Sequence, residues 1–413
     1  MKSYTVKLFF IGCLFLSLSA EAQKQPFTLQ QSIAVALQNN LAVKSSGLQV
    51  EQQKVLSKTA NDFGKTNIGG QYGQANSIKW DTYFNIQQPI PNPSLFKNQK
   101  AYYNEQIKSS QLNLVVTQTE LTYQVKSVYY QLSYFEALQK LLHSQDTLFA
   151  GFLNAAELRY KTGESNLLEK TTAETQLNEI RNRIQQNHSD ILIARKQLEI
   201  LMNVPLPVGA AIDTLDKIQM KQLVTDSIQS SNPQAAYVQQ QINVSDKIIG
   251  IEKAKAKPDF SIGYFNQSII GTQPVNGQDK YFGAGHRFQG MQAGISIPLF
   301  NSPFANRIKA AKIDKQIAET QYNLFVTNLN GQYQQAYQEY IKDTRSIEYF
   351  EKNALPNSNL ILKQAQLAFK NGEIGYVEYL LALKTYRDIR SEYLNAINNF
   401  NQSIVRIQYL SNQ

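Results

Sequence analysis

LRYKTGESNLLE, residues 158–169, and LAFKNGEIGYVE, residues 367–378, are two versions of one motif: a lysine, a glycine two places on, and acids just after the glycine and six places beyond it. Gly163 thus corresponds to Gly372 at an offset of 209, and the same offset aligns Ile86–Pro89 (IQQP) with Ile295–Pro298 (ISIP). Two separate anchors at one offset describe an internal repeat. Further upstream, Gln38–Leu41 aligns with Ser230–Pro233 at an offset of 192, so the second copy carries about 17 extra residues, within Gln267–Gln289. Each copy reads helix, two strand-like runs, very long helix, glycine-centred turn, returning helix.

The helices follow from period. Leu121, Val125, Val128, Leu132 and Phe135 recur in steps of four and three, the coiled-coil rhythm. After the turn, Leu177, Ile180, Ile184, Asn187, Ile191, Ala194, Leu198 and Leu201 keep that alternation, and Leu380, Leu383, Leu394, Ile397 and Ile404 repeat it, with Arg387, Arg390 and Asn401 at intervening seam positions. No proline occurs between Pro93 and Pro205, so a helix from about Lys97 to Tyr160 is predicted, roughly 95 Å long. Pro356 should kink or break its counterpart.

The strands alternate with period two. Trp80, Thr82, Phe84 and Ile86 share one face and Asp81, Tyr83, Asn85 and Gln87 the other; Met291, Ala293, Ile295 and Ile297 oppose Gln292, Gly294 and Ser296. Their partners are runs near 67–78 and 259–270. Runs of about ten residues suit an outer membrane, but four strands close no barrel alone, since such barrels start at about eight. The chain either oligomerises or forms an ordinary soluble sheet.

Composition narrows the classes. The 413 residues are 42% hydrophobic and 18% charged, too apolar for a disordered chain, and with 12 prolines and 20 glycines too sparsely punctuated for an all-β or doubly wound enzyme. Lys2 and Lys7, an apolar run from Leu8 to Leu18, and Ala20-Glu21-Ala22 read as a secretory signal peptide over residues 1–22, which takes the single cysteine, Cys13, with it. The competing lipobox reading would make Cys13 a lipidated N-terminus. Cleavage leaves 391 residues and a net charge of +8. No later stretch has the 18 apolar residues of a membrane helix. His143, His188 and His286 are scattered, so no metal site is expected, no cofactor motif or catalytic constellation is visible, and the lysines are too dispersed for nucleic acid.

These features together resemble the TolC-type outer-membrane efflux factors. The resemblance rests on Phe27-Thr28-Leu29 opening an amphipathic helix, the strand endings Gln88-Pro89 and Ile297-Pro298-Leu299-Phe300, and the paired Tyr/Phe-Lys-x-Gly-Glu turns. The heavy-metal or cation subgroup is a possible placement within it. The resemblance implies a mainly α fold with a small β part: coiled-coil hairpins forming a periplasmic α-barrel, and four strands per chain contributing to a 12-stranded barrel in a homotrimer. It implies a passive exit duct in the outer membrane, served by a periplasmic adaptor and an inner-membrane pump, the latter proton-driven and of the resistance-nodulation-division type. The competing reading is a periplasmic coiled-coil adaptor or interaction protein without a membrane barrel.

The expected organisation is signal peptide 1–22, first repeat 23–212, connector 213–225 and second repeat 226–413. By resemblance the hairpin tips, Thr162, Gly163, Glu164, Asn371, Gly372 and Glu373, dock the adaptor. Glu378 and Glu169, with Tyr376 and Arg387, are expected at the periplasmic aperture, where threefold symmetry makes a ring of carboxylates that favours cations. A solvated helix face or an ion pair with Lys161, Lys170 or Lys370 explains the two acids equally well. Position 381 is Leu381, so a second acidic ring is not expected. Asp81, Tyr83, Asn85, Gln87, Gln292 and Ser296 are expected to line the barrel lumen, with Trp80 and Tyr281 at the lipid headgroups.

Overall fold

The computed structural model describes residues 25–205, 208–210, 215–220 and 228–413, so the expected signal peptide and the fate of Cys13 lie outside the described residues. The first copy contains β1 (Gln25–Phe27), α1 (Leu29–Asn39), α2 (Leu41–Leu56), β2 (Asn67–Gly73), β3 (Asp81–Ile90), α3 (Pro93–Lys161), α4 (Leu167–Met202) and β4 (Val208–Ala210). The second contains α5 (Ile228–Ser231), α6 (Pro233–Lys255), β5 (Asp259–Gln267), β6 (Gly271–Val275), β7 (Gln278–Phe282), β8 (Phe288–Ser296), α7 (Ser302–Tyr349), α8 (Leu355–Lys370) and α9 (Tyr376–Ser411).

Helix α3 runs 69 residues without a break, about 100 Å at 1.5 Å per residue. It survives at that length because α4, α6, α2 and α9 cover it in succession. The expected seam is the buried one: Leu121, Val125, Leu132, Leu177, Ile180, Ile191, Ala194 and Leu198 are each at most 5% exposed. Burying a side chain of that size contributes about 1.5–3 kcal/mol. Asn187, a polar residue in this seam, is satisfied by donating to the Phe135 carbonyl (2.9 Å) and to Gln139 Oε1 (2.7 Å).

The duplication extends to individual packing positions. One core joins Ala36, Leu121, Val125 and Leu198, and another joins Ile228, Leu329, Tyr333 and Ile407. From the first core to the second the offset is 192 for Ala36, 208 for Leu121 and Val125, and 209 for Leu198. The step from 208 to 209 has a visible cause. Between α7 and α8 lies one π-helical turn, Phe350–Ala354, with the Leu355 N–H reaching back to the Phe350 carbonyl. A π turn absorbs one extra residue in a helix that otherwise continues, and Pro356, which has no N–H to give, sits directly after it. The expected kink at Pro356 is therefore realised as a widened turn rather than a break.

Each copy also closes on itself in the same way. Asn40 donates through its side-chain amide to the Leu201 carbonyl at 2.9 Å, and Asn232 to the Leu410 carbonyl at 3.0 Å, while each also caps the helix that follows it. The return helices end at Asn203 and Asn412, 209 apart and both left-handed, φ 49° and 56°. Asn232 is 5% exposed, so Asn232→Ala is expected to cost about 2 kcal/mol, a cap plus a buried bond. Asn40→Ala, on a half-buried side chain, should cost less. Urea midpoints of the two variants check the order.

The sheet runs β2-β3-β5-β8, antiparallel throughout. The residues between β5 and β8 are not a plain loop: β6 and β7 form their own hairpin, turned by Asn276 (φ 52°) and Gly277 (φ 81°) at the end of the sheet away from the helices. Asn-Gly between two strand-like runs is the signature of a type I′ turn.

Candidate functional site

Register places whole faces, not just residues. Ile68, Ile86, Tyr264 and Met291 stand opposite one another across all four strands, as do Phe260 with Ile90 and Ile295. This face is mostly apolar, with Gln88, Asn266 and Gln289 also on it, and its apolar residues are uncovered: Ile68 is 69% exposed and Met291 91%. The other face holds Tyr83, Asn85, Gln87, Gln292 and Ser296, together with Gly69, Ser261, Gly263, Gly290 and Gly294. Small residues there leave space above the sheet, and at Gly290 the space is used: a Cβ would lie 2.7 Å from the Phe265 ring, which spans the gap in its neighbour strand.

Asp81 corrects the expectation. It is 1% exposed and faces no open lumen, because it accepts from the Ala75 and Asn76 amides and from Ser77 Oγ (2.5 Å), holding the β2–β3 loop closed. Beyond that loop Trp80 meets Tyr72 edge-on at 5.1 Å, and Lys79 Nζ donates to the Tyr281 hydroxyl at 3.1 Å; all of these side chains are exposed.

At the opposite end the two hairpin tips are built alike. Glu164 N–H donates to the Arg159 carbonyl and Gly163 N–H to Tyr160; Glu373 N–H donates to Ala368 and Gly372 N–H to Phe369. This is the Schellman closure, and it needs the left-handed φ of 79° and 74° that Gly163 and Gly372 supply. Thr162, Glu164, Asn371 and Glu373 are exposed around them.

The four aperture candidates do not converge. Glu169 is 2% exposed and lies 3.9 Å from Arg159 Nε, and neither Glu169 Oε1 nor Arg159 Nε has a hydrogen-bond partner. Glu378, its repeat counterpart, is exposed and folds back to accept from the Gly375 amide at 2.7 Å. The difference has two local causes. Asn166 caps the first return helix with its side chain, which frees Glu169 to turn inward, whereas the counterpart Gly375 has no side chain to offer. Arg159 is matched by Ala368, so Glu378 has no cation to turn toward. Tyr376 is half-buried against the aromatic cluster of Phe152, Phe369 and Tyr379. Arg387 is 6% exposed, packed between the hairpins beside Glu179 (3.8 Å) and Asp388 (2.9 Å), and takes the seam position rather than an open one.

One constellation had no sequence signal. Residues 215–220 of the connector are bound by Asn401, which accepts from the Ile218 amide and donates to the Asp216 carbonyl, both at 2.9 Å. Lys217 then pairs with Glu351 of the π turn at 2.8 Å, and Tyr393 donates to the same carboxylate. The hydrogen bond from Lys217 lowers the Glu351 carboxyl, while burial, followed by the bond to Glu351, pushes the Tyr393 phenol up to about 12. Among the described residues no group of His, Cys, Asp and Glu is placed to hold a metal ion, and no helix is long and apolar enough to cross a membrane.

Residues 224–413 match the family model described as outer membrane efflux protein. That match spans 190 of the 413 residues, the second half of the chain. Outer membrane proteins of known structure share the chain's fold. The outer membrane protein VceC of Vibrio cholerae is 16% identical, with 93% of this chain and 96% of that one covered at a TM-score of 0.74. The CmeC outer membrane channel of Campylobacter jejuni is 13% identical, covering 100% and 93% at 0.74. The open state of the MtrE outer membrane channel of Neisseria gonorrhoeae is 16% identical, covering 93% and 88% at 0.75. No curated protein sequence matches the chain. The sheet and the helical hairpins thus belong to a fold that these outer membrane proteins share.

Proposed function

We infer that this protein is a passive outer-membrane exit duct of an efflux system: three copies close one 12-stranded barrel, and their hairpins continue it as a tunnel toward the periplasm. The observation that carries the reading is the four-stranded sheet, predominantly apolar on one face and predominantly polar or small on the other, with nothing among the described residues covering the apolar patch of Ile68, Ile262, Met291 and Ile295. A soluble interaction domain would leave that face in water, whereas lipid suits it. Trp80, Tyr72, Tyr281 and Lys79 then lie at the outer headgroup level. The exposed tips at Gly163 and Gly372 receive a periplasmic adaptor, and the energy comes from an inner-membrane pump, of which a proton-driven resistance-nodulation-division transporter is one form. Fractionation tests the whole: detergent-dependent recovery from the outer membrane is expected, and recovery as a soluble periplasmic protein overturns it.

Within this duct, Glu378 is the aperture acid. It is exposed at the tip of the second hairpin and lacks the inward partner that takes Glu169 out of use. Glu378→Gln keeps an acceptor for the Gly375 amide while removing the charge. In planar bilayers the variant is expected to lose roughly half or more of the cation preference, since a ring of three carboxylates becomes neutral. Unchanged selectivity would remove Glu378 from the aperture.

A further inference from the structure

We propose that Arg287, with Lys79 beside the same end of the sheet, takes a phosphate of the glycolipid that makes up the outer leaflet of the outer membrane. The proposal rests on the reading of the chain as an outer-membrane duct and adds a lipid that the barrel selects.

The starting observation is that the exposed face of the sheet changes character along its length. Outward from the row of Ile86, Tyr264 and Met291, the next paired row holds Phe84, Asn266 and Gln289, and beyond it Thr82 pairs with Tyr72. Arg287 continues the alternation of Met291 and Gln289, and its contacts place it on the same face. Its Nε donates to Asn266 Oδ1 and its Nη1 to Thr82 Oγ1, both at 2.5 Å, and its Nη2 to the Asn266 carbonyl at 3.2 Å. The four residues from Met291 to Arg287 span about 14 Å of strand, or about 10 Å of depth at a tilt of about 45°. With Met291 at mid-depth, the guanidinium stands at the edge of an apolar band about 25 Å tall, where an arginine reaches the headgroups.

Charge decides what the site receives. A guanidinium has five N–H donors, and the three bonds from Arg287 all end on neutral oxygens, so it keeps its charge and one further donor on each of Nη1 and Nη2. Asn266 passes the bonding on, donating to the Tyr264 hydroxyl at 3.3 Å, which donates to Gln289 Oε1 at 2.5 Å, and no anion enters the network. Lys79 likewise meets a neutral partner, the Tyr281 hydroxyl. Asp81, the acid nearest to it in sequence, is already held by Ala75, Asn76 and Ser77. Two cations with neutral partners at the rim of the hydrocarbon call for an anion, and a guanidinium with a donor left on each outer nitrogen suits the paired oxygens of a phosphate. The exposed amide of Gln289 and the Tyr264 hydroxyl beside it suit the sugar that bears the phosphate in a glycolipid, which a simple phospholipid lacks. The arginine is also held in place from behind. Phe288, which leaves β8 on the other face, meets Phe282 at 5.5 Å and His286 at 5.1 Å, both edge-on, and so fixes the backbone on either side of Arg287.

Trp80, the only tryptophan of the chain, reports on this end of the sheet. The protein, extracted from the outer membrane in a nonionic detergent, is titrated with bisphosphorylated lipid A, dephosphorylated lipid A, phosphatidylglycerol and inorganic phosphate while Trp80 emission is followed. Saturable binding of the phosphorylated glycolipid is expected, about tenfold tighter than that of its dephosphorylated form or of phosphatidylglycerol, with no response to millimolar inorganic phosphate. Arg287→Gln is expected to weaken that binding about tenfold and Lys79→Gln about threefold. Lys257→Gln, the loss of a charge at the helix end of the same sheet, leaves it unchanged. Lys79 lies outside the strands, so its variant and the contrast among lipids test the site even where Arg287→Gln fails to assemble. Equal binding of lipid A with and without phosphate overturns the site, as does wild-type binding by Arg287→Gln. Phosphatidylglycerol bound as tightly, or a response to inorganic phosphate alone, overturns the glycolipid as its occupant. Each of those results leaves the duct standing, whereas recovery of the protein in soluble form overturns the duct and the site together.

Discussion

Met291→Arg is expected to prevent assembly into the outer membrane, while Gln292→Arg, one residue away, leaves it largely intact. The two side chains leave β8 on opposite faces: Met291 stands across from Tyr264 and, one strand further, in line with Ile86, whereas Gln292 stands across from Gly263. Met291 sits mid-strand, at the depth where a charged side chain on the lipid face costs about 2–4 kcal/mol, a cost that the proposed trimer would carry once per copy. Gln292→Arg places its charge on the wet side, where the cost is small and the consequence is altered ion selectivity. The measurement is the amount of protein recovered with outer-membrane lipid, compared between the two variants at equal expression. Equal recovery of both, or the reverse order, would mean that the faces are assigned the wrong way round.

Arg159→Ala is expected to loosen the first hairpin tip by about 3 kcal/mol, because it leaves the Glu169 carboxylate buried without a cation. The side chain of Glu169 is 3% exposed and that of Arg159 34%, so the pair is shielded on the acid's side and open on the base's. Arg159 also lies over the Phe369 ring at 5.5 Å and so ties the first hairpin to the second. Since neither pairing atom is hydrogen-bonded, replacing both partners with leucine should restore most of the loss, as an apolar pair of similar volume does. Hydrogen exchange over residues 155–175 reads the change locally: roughly a hundredfold faster exchange for Arg159→Ala, and near-native rates for the double variant. Glu378→Ala at the second tip, where the acid is only a cap, should cost about 1 kcal/mol. A tip that stays equally protected in Arg159→Ala would show that Glu169 needs no cation.

The parts of this molecule governed by period were legible before the structure. Leu121 to Leu132 and Leu177 to Leu198 announce a seam because a helix shows one face every three or four residues, and Met291 and Gln292 announce opposite faces because a strand alternates. Gly163 and Gly372 were legible because a left-handed turn favours glycine. The four strands and the order of the larger elements followed from these, while α3 opens at Pro93, four residues ahead of the expected Lys97. What stayed hidden depends on neighbours distant in sequence. Glu169 and Glu378 read as equivalents, yet one is buried and the other exposed, and the choice lies with Arg159 against Ala368 and Asn166 against Gly375. Asp81 alternates correctly with the polar face, but a loop six residues upstream claims it. The β6–β7 hairpin was legible in Asn276-Gly277 and went unread because the flanking runs are only five residues each. The matching asparagines at 40 and 232, and at 203 and 412, carry a signal that only the repeat makes visible.

The sheet ends in β2 on one side and β8 on the other, each with a row of backbone N–H and C=O groups that no strand among the described residues satisfies. In water such edges are tolerable; in hydrocarbon each unsatisfied group costs several kcal/mol. A lone chain therefore cannot insert first and find its partners afterwards by diffusing in the bilayer. In the proposed duct the copies would have to meet at the membrane surface or in the periplasm, join β2 to β8, and enter as a closed ring, which would make oligomerisation a step of biogenesis and not a later refinement of it.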